Sequence, residues 1–438
     1  MADRMKLGLS SVVLCLMFFS CASGNPYAKI DSHAQRNEYQ EGLAVIDKDK
    51  KKLYRDKDAV LYYLDAGMLS HYAAEYRRST ELLQAGERAI ETAYTKSITM
   101  EIGTYILNDT TQEYAGEDYE DIFINTFNAL NYYHENELED AMVEIRRMNN
   151  KLQFLSSKYG IIVDNMQKKA LEEDAAIPPD PAAGKTTFTN SALARYLGML
   201  FYRGNGNYDD ARIDRDQIKI AFANNPSVYA YPAPASIDEE LTVPAGKARF
   251  NVIGFSGSAP VKEEETLRIL IPGPRYIKIA LPVLVNRPSV VNRITVRFDS
   301  GESFNLELLE DIGAIAKETF KERANLAYLK SVIRGTLKGV TSSVLDGVGD
   351  EVGGNAGLVM GLLSIGTQVF AEASEKADLR ISRYFPAKAY VGGITLDPGT
   401  YSYTVIYYSG SRVVDSLRQE NVEIRARGLN LAEAVCLK

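Results

Sequence analysis

Apolar and polar positions in this chain follow two different periods. From about residue 35 to residue 228 apolar residues recur every three to four positions, which predicts amphipathic helices. After Gly246 the spacing changes to alternation in twos. "ARFNVIGFSG", "RYIKIALPVLV" and "NRITVRFDSGESFNLELL" read as strands, the last pair joined by a turn at Asp299-Ser300-Gly301. Helical sequence runs from about Glu310 to Leu345, and a further apolar helix ends near Lys376. Strand signals return in "AKAYVGGITLDPGTYSYTVIYYSG", with a tight turn at Pro398-Gly399, and continue into "NVEIRARGLNLAEAV". Between the two regimes, residues 229–246 combine prolines with an acidic patch and read as a linker.

The helical half carries a repeat. "YYLDAGMLSHYAAEYRRSTELL" places Tyr63, Gly67, Tyr76, Ser79 and Leu83 at the spacing of a tetratricopeptide helix hairpin. "NTFNALNYYHENELEDAMVEI" repeats it with Ala129, Tyr132, Leu138, Ala141 and Ile145. "NEYQEGLAVI" reads as an isolated second helix, and "YLGMLFYRGNGNYDDA" as a weaker fourth copy. The gaps between Tyr76, Leu138 and Tyr208 approach two repeat lengths, which predicts degenerate helices such as Ala85 to Leu107 within them. The fold expected is α+β and multidomain: an N-terminal α-helical solenoid over 35–228, the linker, and a β-sandwich-like domain over 247–438. A helical insertion at about 310–376 interrupts that second domain, whose strands on either side complete one unit. A solenoid offers long concave surfaces for a protein partner. Tyr132 and Tyr133 are the contact residues expected on that face, with inter-repeat packing as their other reading.

The first twenty residues change the setting. Arg4 and Lys6 precede an uncharged run, Leu7 to Phe19, too short to span a bilayer, and Ser20 stands directly before Cys21. The stretch resembles a lipoprotein signal, cleaved before a lipid-modified Cys21, although Phe18 and Phe19 stand where leucine and a small residue are usual. Residues 21–34 then form a tether. Ala22 after the cysteine resembles an outer-membrane address facing the periplasm.

Composition narrows the partners. The full chain has a net charge of −8, and removing Asp3, Arg4 and Lys6 (together +1) takes it to −9. So acidic a surface disfavours nucleic acid. Of three cysteines, Cys15 leaves with the signal and Cys21 takes lipid. Cys436 has no disulfide partner, and stability must come from packing.

Candidate chemistry is thin. His33, His71 and His134 are far apart in sequence and lack metal-ligand spacing, and "YYHENELED" reads as a solvated turn. "GVGDEVGGNAG" lacks the Gly-Lys-Ser/Thr ending of a phosphate loop. "VKEEETL" offers paired carboxylates but reads as a charged strand end. The uncharged run Val352 to Ala371 is long enough for a membrane span but only weakly hydrophobic, and a buried or oligomer-contact helix is the preferred reading. No catalytic, cofactor or metal residues are assigned.

"YAGEDYEDIFINTFNALNYYHENELEDAMVEIRRMNNKLQ" resembles a family of tetratricopeptide-like bacterial envelope lipoproteins of unassigned activity. So do "SAPVKEE", "KIALPVLVNRPS" and "ADLRISRYFPAKAYVGGITLDPGTYSYTV". The resemblance implies a non-enzymatic, membrane-anchored scaffold that binds another envelope protein, accessory to cell-wall synthesis or an envelope machine, with room for an oligomer. The alternative is an envelope hydrolase or carbohydrate-binding protein with its site in the second domain.

Overall fold

The computed structural model describes residues 25–99, 112–172, 188–271, 275–287, 289–321, 323 and 377–438. Cys21, the signal segment and the 352–371 run lie outside them. The architecture is α+β, as expected, with helices preceding a large mixed sheet.

Among the described residues, eight helices form four consecutive hairpins: α1 (Ala28–Gln35) with α2 (Tyr39–Leu53), α3 (Ala59–Tyr72) with α4 (Tyr76–Thr99), α5 (Asp118–His134) with α6 (Leu138–Glu172), and α7 (Ala192–Gly204) with α8 (Tyr208–Asn224). One turn is used four times. Asn37, Ala74, Asn136 and Gly206 each take a left-handed φ, at 61°, 60°, 63° and 81°. Each donates its N–H to the carbonyl three residues back, and the next residue reaches five back, the paired bonds of a Schellman cap. Close approach within hairpins follows a rule as well. A Cβ on Gly67 would meet Leu83 at 2.8 Å, and one on Gly198 would meet Asp214 at 2.3 Å. Both pairs share the sixteen-residue offset that separates Ala129 from Ile145.

Three expectations are corrected by packing. The tether assigned to 21–34 includes most of α1, whose Ile30 and Ala34 are buried. The long repeat gaps are partly taken up by length in single helices, since α4 runs unbroken to Thr99 and α6 to Glu172. The 229–246 linker is a packed segment: Tyr229 is buried, a 3-10 turn covers Ala235–Leu241, and Glu240 is buried between Arg203 and Arg249.

The sheet comprises β1 (Ala248–Ser256), β4 (Arg293–Phe298), β5 (Ser303–Asp311), β6 (Lys388–Leu396), β7 (Gly399–Ser409), β8 (Arg412–Ile424) and β9 (Asn430–Cys436), in the order β8-β7-β4-β5-β6-β1-β9. Strands from before and after the 312–387 interval are neighbours in it, β5 beside β6. All pairs are antiparallel except β1 with β9. The sheet curls until its edges approach, and Lys438, just past β9, reaches Asp415 on β8 at 2.8 Å. Its inner face encloses a core in which Phe250, Phe298 and Tyr403 meet at 5.0–5.6 Å. A separate two-stranded ribbon is formed by β2 (Val261–Ile271) and β3 (Arg275–Val285).

The outer face of β1 and β9 packs on the helices. Ile253, Phe255, Leu431 and Val435 join one core with α3, α5 and α7, and Phe127 sits between Phe255 and Phe385 at 5.3 and 5.9 Å. This explains why α3 and α5 have little exposed surface: both are sandwiched, and every residue from Asp118 to Asn131 is buried or nearly so, the polar ones included.

Candidate functional site: the seam between helices and sheet

Charged and polar side chains gather where the two halves meet. The densest cluster is built on Glu433, the single acid of the otherwise apolar β9. His71 on α3 reaches one carboxylate oxygen through Nε2 at 2.6 Å, and His134 at the end of α5 reaches the other at 3.2 Å. Nδ1 of His71 contacts Asn131 Oδ1 at 2.6 Å, an amide oriented by its own bond to Ser79 at 2.9 Å. With Asn131 in this orientation both ring nitrogens of His71 face acceptors, the arrangement of a doubly protonated ring. Burial pulls the His71 pKa down, but the Glu433 charge and the two hydrogen bonds raise it overall. Burial likewise pushes Glu433 up, and the two histidines overcome it to hold the carboxyl at about 2. Tyr76 stacks on His134 at 4.4 Å.

Three fully buried carboxylates clasp the seam elsewhere. Asp65 on α3 accepts from Ser382 Oγ (2.9 Å), the Arg383 N–H (2.8 Å) and Tyr54 Oη (3.0 Å). Glu120 on α5 accepts from the N–H groups of Ser382 (2.5 Å) and Glu117 (2.7 Å), closing the capping box of its own helix. Glu310 at the end of β5 accepts the Leu193 N–H at 2.6 Å and Tyr229 Oη at 3.2 Å, so a sheet carboxylate caps the start of α7. Burial raises all three, Asp65 to about 6, Glu120 to about 7 and Glu310 to about 8. Each takes at least one backbone or hydroxyl donor from the opposite half, so these groups act as structural joints.

A shallow cavity of ≈ 140 Å³ lies on the outer side, between α4, α5 and α6. Ile90, Tyr94, Phe154 and Leu155 line it, with Lys151 and Lys158 at its rim. Lys151 is paired with Glu87 and Asp121, and Lys158 with Asp118, each at 2.6–2.7 Å. Among the described residues, no group of three or more His, Cys, Asp or Glu could hold a metal. No described helix is long and apolar enough to cross a membrane.

The two sequence-selected tyrosines part company. The Tyr133 hydroxyl donates to the Leu431 carbonyl at 3.1 Å and accepts the Leu431 N–H at 3.0 Å, pinning α5 to β9. Tyr132 is half-buried and accepts from Gln84 at 3.1 Å, within the helical layer. The interhelix turn expected after His134 is present, with Asn136 and Glu137 exposed, but the His134 ring itself is stacked on Tyr76 and bonded to Glu433. His71 and His134, unconnected in the sequence, lie with ring centroids 6.4 Å apart. A lone carboxylate inside the apolar β9 was the one signal of their meeting point.

No protein family, curated protein or solved structure matches this chain.

Proposed function

We propose that this chain is a lipid-anchored envelope scaffold that presents the outer faces of its helix hairpins to a partner protein. On this reading the hairpins are tetratricopeptide-like repeats forming a solenoid, the curled sheet is a sandwich-type domain that fills its concave side, and Cys21 carries the anchor. The partner acts in cell-wall synthesis or in an envelope machine.

One observation carries the choice of face. The inner helices α3, α5 and α7 are covered by β1, β9 and the 377–385 segment, whereas the outer helices keep large apolar residues in solvent. Val143, Phe154 and Ile161 on α6 and Tyr208, Ile213 and Ile220 on α8 are all at least 39% exposed. Ile213 and Ile220 stand two turns apart on one stripe of α8, the spacing of anchors for a docked helix or groove. Photo-crosslinkers at Ile213 and Ile220, with Tyr133 as the internal control and Cys21→Ala alongside, test the reading in intact envelopes. One stoichiometric adduct from α8, reduced without the anchor, is expected. Folded, abundant protein with no adduct from either position would sink it.

A further inference from the structure

We propose that the lysine-rich end of the first helix hairpin is a seat on an anionic lipid surface, where headgroups hold the protein by charge beside its anchor. The inference rests on the anchored reading above and adds a second point of attachment to it.

The chain has a net charge of −8, yet its stretch from Lys48 to Arg55 sets Lys48, Lys50, Lys51, Lys52 and Arg55 against the single carboxylate of Asp49. The run closes α2 and leads into the turn before α3. Two of these cations are used by the fold. Lys50 lies over the Tyr62 ring at 3.5 Å, and Arg55 pairs with Asp58 at 2.8 Å. Lys48, Lys51 and Lys52 are exposed, and among the described residues none of them has an ion-pair partner.

The hairpin does not neutralise them. Of its own acids, Asp31, Glu38 and Asp47 are taken by Arg383, Arg36 and Arg78 at 2.6–2.8 Å. That leaves Asp49, and Glu41 two turns before Lys48. Lysines three and four residues apart repel one another on a helix, so the cluster weakens α2 by itself. The negative end of the helix offsets part of that repulsion. A surface of anions offsets the rest and attracts each lysine in addition.

Position selects lipid as the source of those anions. The Tyr27 hydroxyl donates to the Leu53 carbonyl at 3.3 Å, and its ring meets Tyr54 at 5.9 Å. The start of α1 is thereby fastened to the end of α2, and the exposed Lys29 joins the three lysines at that end. From Cys21 to Asn25 four residues reach at most about 14 Å. An acyl group on Cys21 therefore brings this end of the hairpin up to the headgroups. Acyl chain and basic patch together form a two-signal attachment, in which the lipid sets the distance and the cations set the orientation. The last hairpin of the array, with Ile213 and Ile220 on α8, then stands away from the bilayer.

The test reads the lysines themselves. Wild-type full-length protein is reconstituted in vesicles of phosphatidylethanolamine with either phosphatidylglycerol or phosphatidylcholine. It is then briefly treated with an acetylating ester, and each lysine is quantified by mass spectrometry. Lys48, Lys51 and Lys52 should react about fivefold more slowly on the phosphatidylglycerol vesicles, the factor for one cation at an anionic surface. Salt at about 0.5 M should remove the difference. Lys219 on α8, paired with Asp238 at 2.7 Å, is the control and should react alike on both. Equal reactivity of the three lysines on the two vesicles overturns the proposal. Protection in intact envelopes that neither vesicle reproduces also overturns it, and assigns the patch to an acidic protein. The same digests read Cys21 and so separate this proposal from the anchored reading. An acylated Cys21 with unprotected lysines keeps the anchor and removes the patch. An unmodified Cys21 with lysines protected on phosphatidylglycerol does the reverse, and an unmodified Cys21 with unprotected lysines removes both.

Discussion

His71 on α3 and Glu433 on β9 lie 362 residues apart in the chain and meet at 2.6 Å in the seam between helices and sheet. The imidazolium is fully buried, and its other nitrogen is held by Asn131, so the pair fixes both the orientation of α3 and the height of β9. Buried ion pairs are costly to assemble and costlier to break, because the surviving partner is left charged in a dry site.

Replacing His71 with Gln should therefore cost about 3 kcal/mol of unfolding free energy near neutral pH. The pH dependence carries a sign. The His71 pKa is raised in the fold, so its contribution is fully present below the unfolded value near 6.5 and is lost as pH rises through the folded value. Glu433, held at about 2, contributes above its unfolded pKa and fails as pH falls towards 2. The difference in stability between wild type and H71Q, followed by denaturant titration from pH 4 to pH 10, should be largest near pH 5–6 and shrink on the alkaline side. A difference independent of pH would mean the ring is neutral in the fold.

Ala74 is the one hairpin turn residue of the four that is neither asparagine nor glycine, yet it holds φ 60°. Alanine pays about 1–2 kcal/mol for that conformation, more than glycine loses in the unfolded chain. Ala74→Gly should raise stability by about 0.5–1 kcal/mol, whereas Gly206→Ala should lower it by a similar amount. Paired thermal melts check both, and a loss in the first would place the strain elsewhere.

The helix hairpins were legible because each carries its own local signal. Small residues at Gly67, Ala129 and Gly198 lie sixteen positions before their hairpin partners, and strand alternation marked β1, β3 to β7 and β9. The seam was not legible. His71 and Glu433, or Asp65 and Ser382, are joined only by long-range folding, which no local period reports. The same seam covers α3 and α5 on two sides, so the polar residues within α5 mark no exposed face. The helix face expected to receive a partner is packed against this chain's own β1 and β9, and Tyr133 is committed to Leu431.

Asn128 lies at the centre of α5, fully buried, and neither polar atom of its amide has a hydrogen-bond partner among the described residues. Its neighbours Asn125 and Asn131 both do, through Glu144 at 2.5 Å and Ser79 at 2.9 Å. Leucine has almost the same shape and no polar group to desolvate, so Asn128→Leu should stabilise the protein by about 1–3 kcal/mol. Asn131→Leu is the contrasting change and should destabilise it, because it strands His71 and Ser79. If Asn128→Leu also destabilises, the amide serves a role that the dry packing of α5 conceals.

Glu310 supplies the last test, because it joins a sheet end to a helix start. Burial pushes its carboxyl up to about 8 against the opposing pull of the Leu193 N–H, Ser191 and Tyr229. A folded pKa above the unfolded value near 4.5 means that its contribution is complete below pH 4.5 and drains away as pH rises through about 8. Glutamine keeps an acceptor for the Leu193 N–H and stays neutral throughout. Glu310→Gln should therefore be close to wild type at pH 5 and more stable than it by about 2–4 kcal/mol at pH 9. Unfolding midpoints of the two proteins across that range decide it. Parallel pH profiles would show that Glu310 is already ionised in the fold, and the α7 cap would then be a true carboxylate–dipole contact instead of a neutral hydrogen bond.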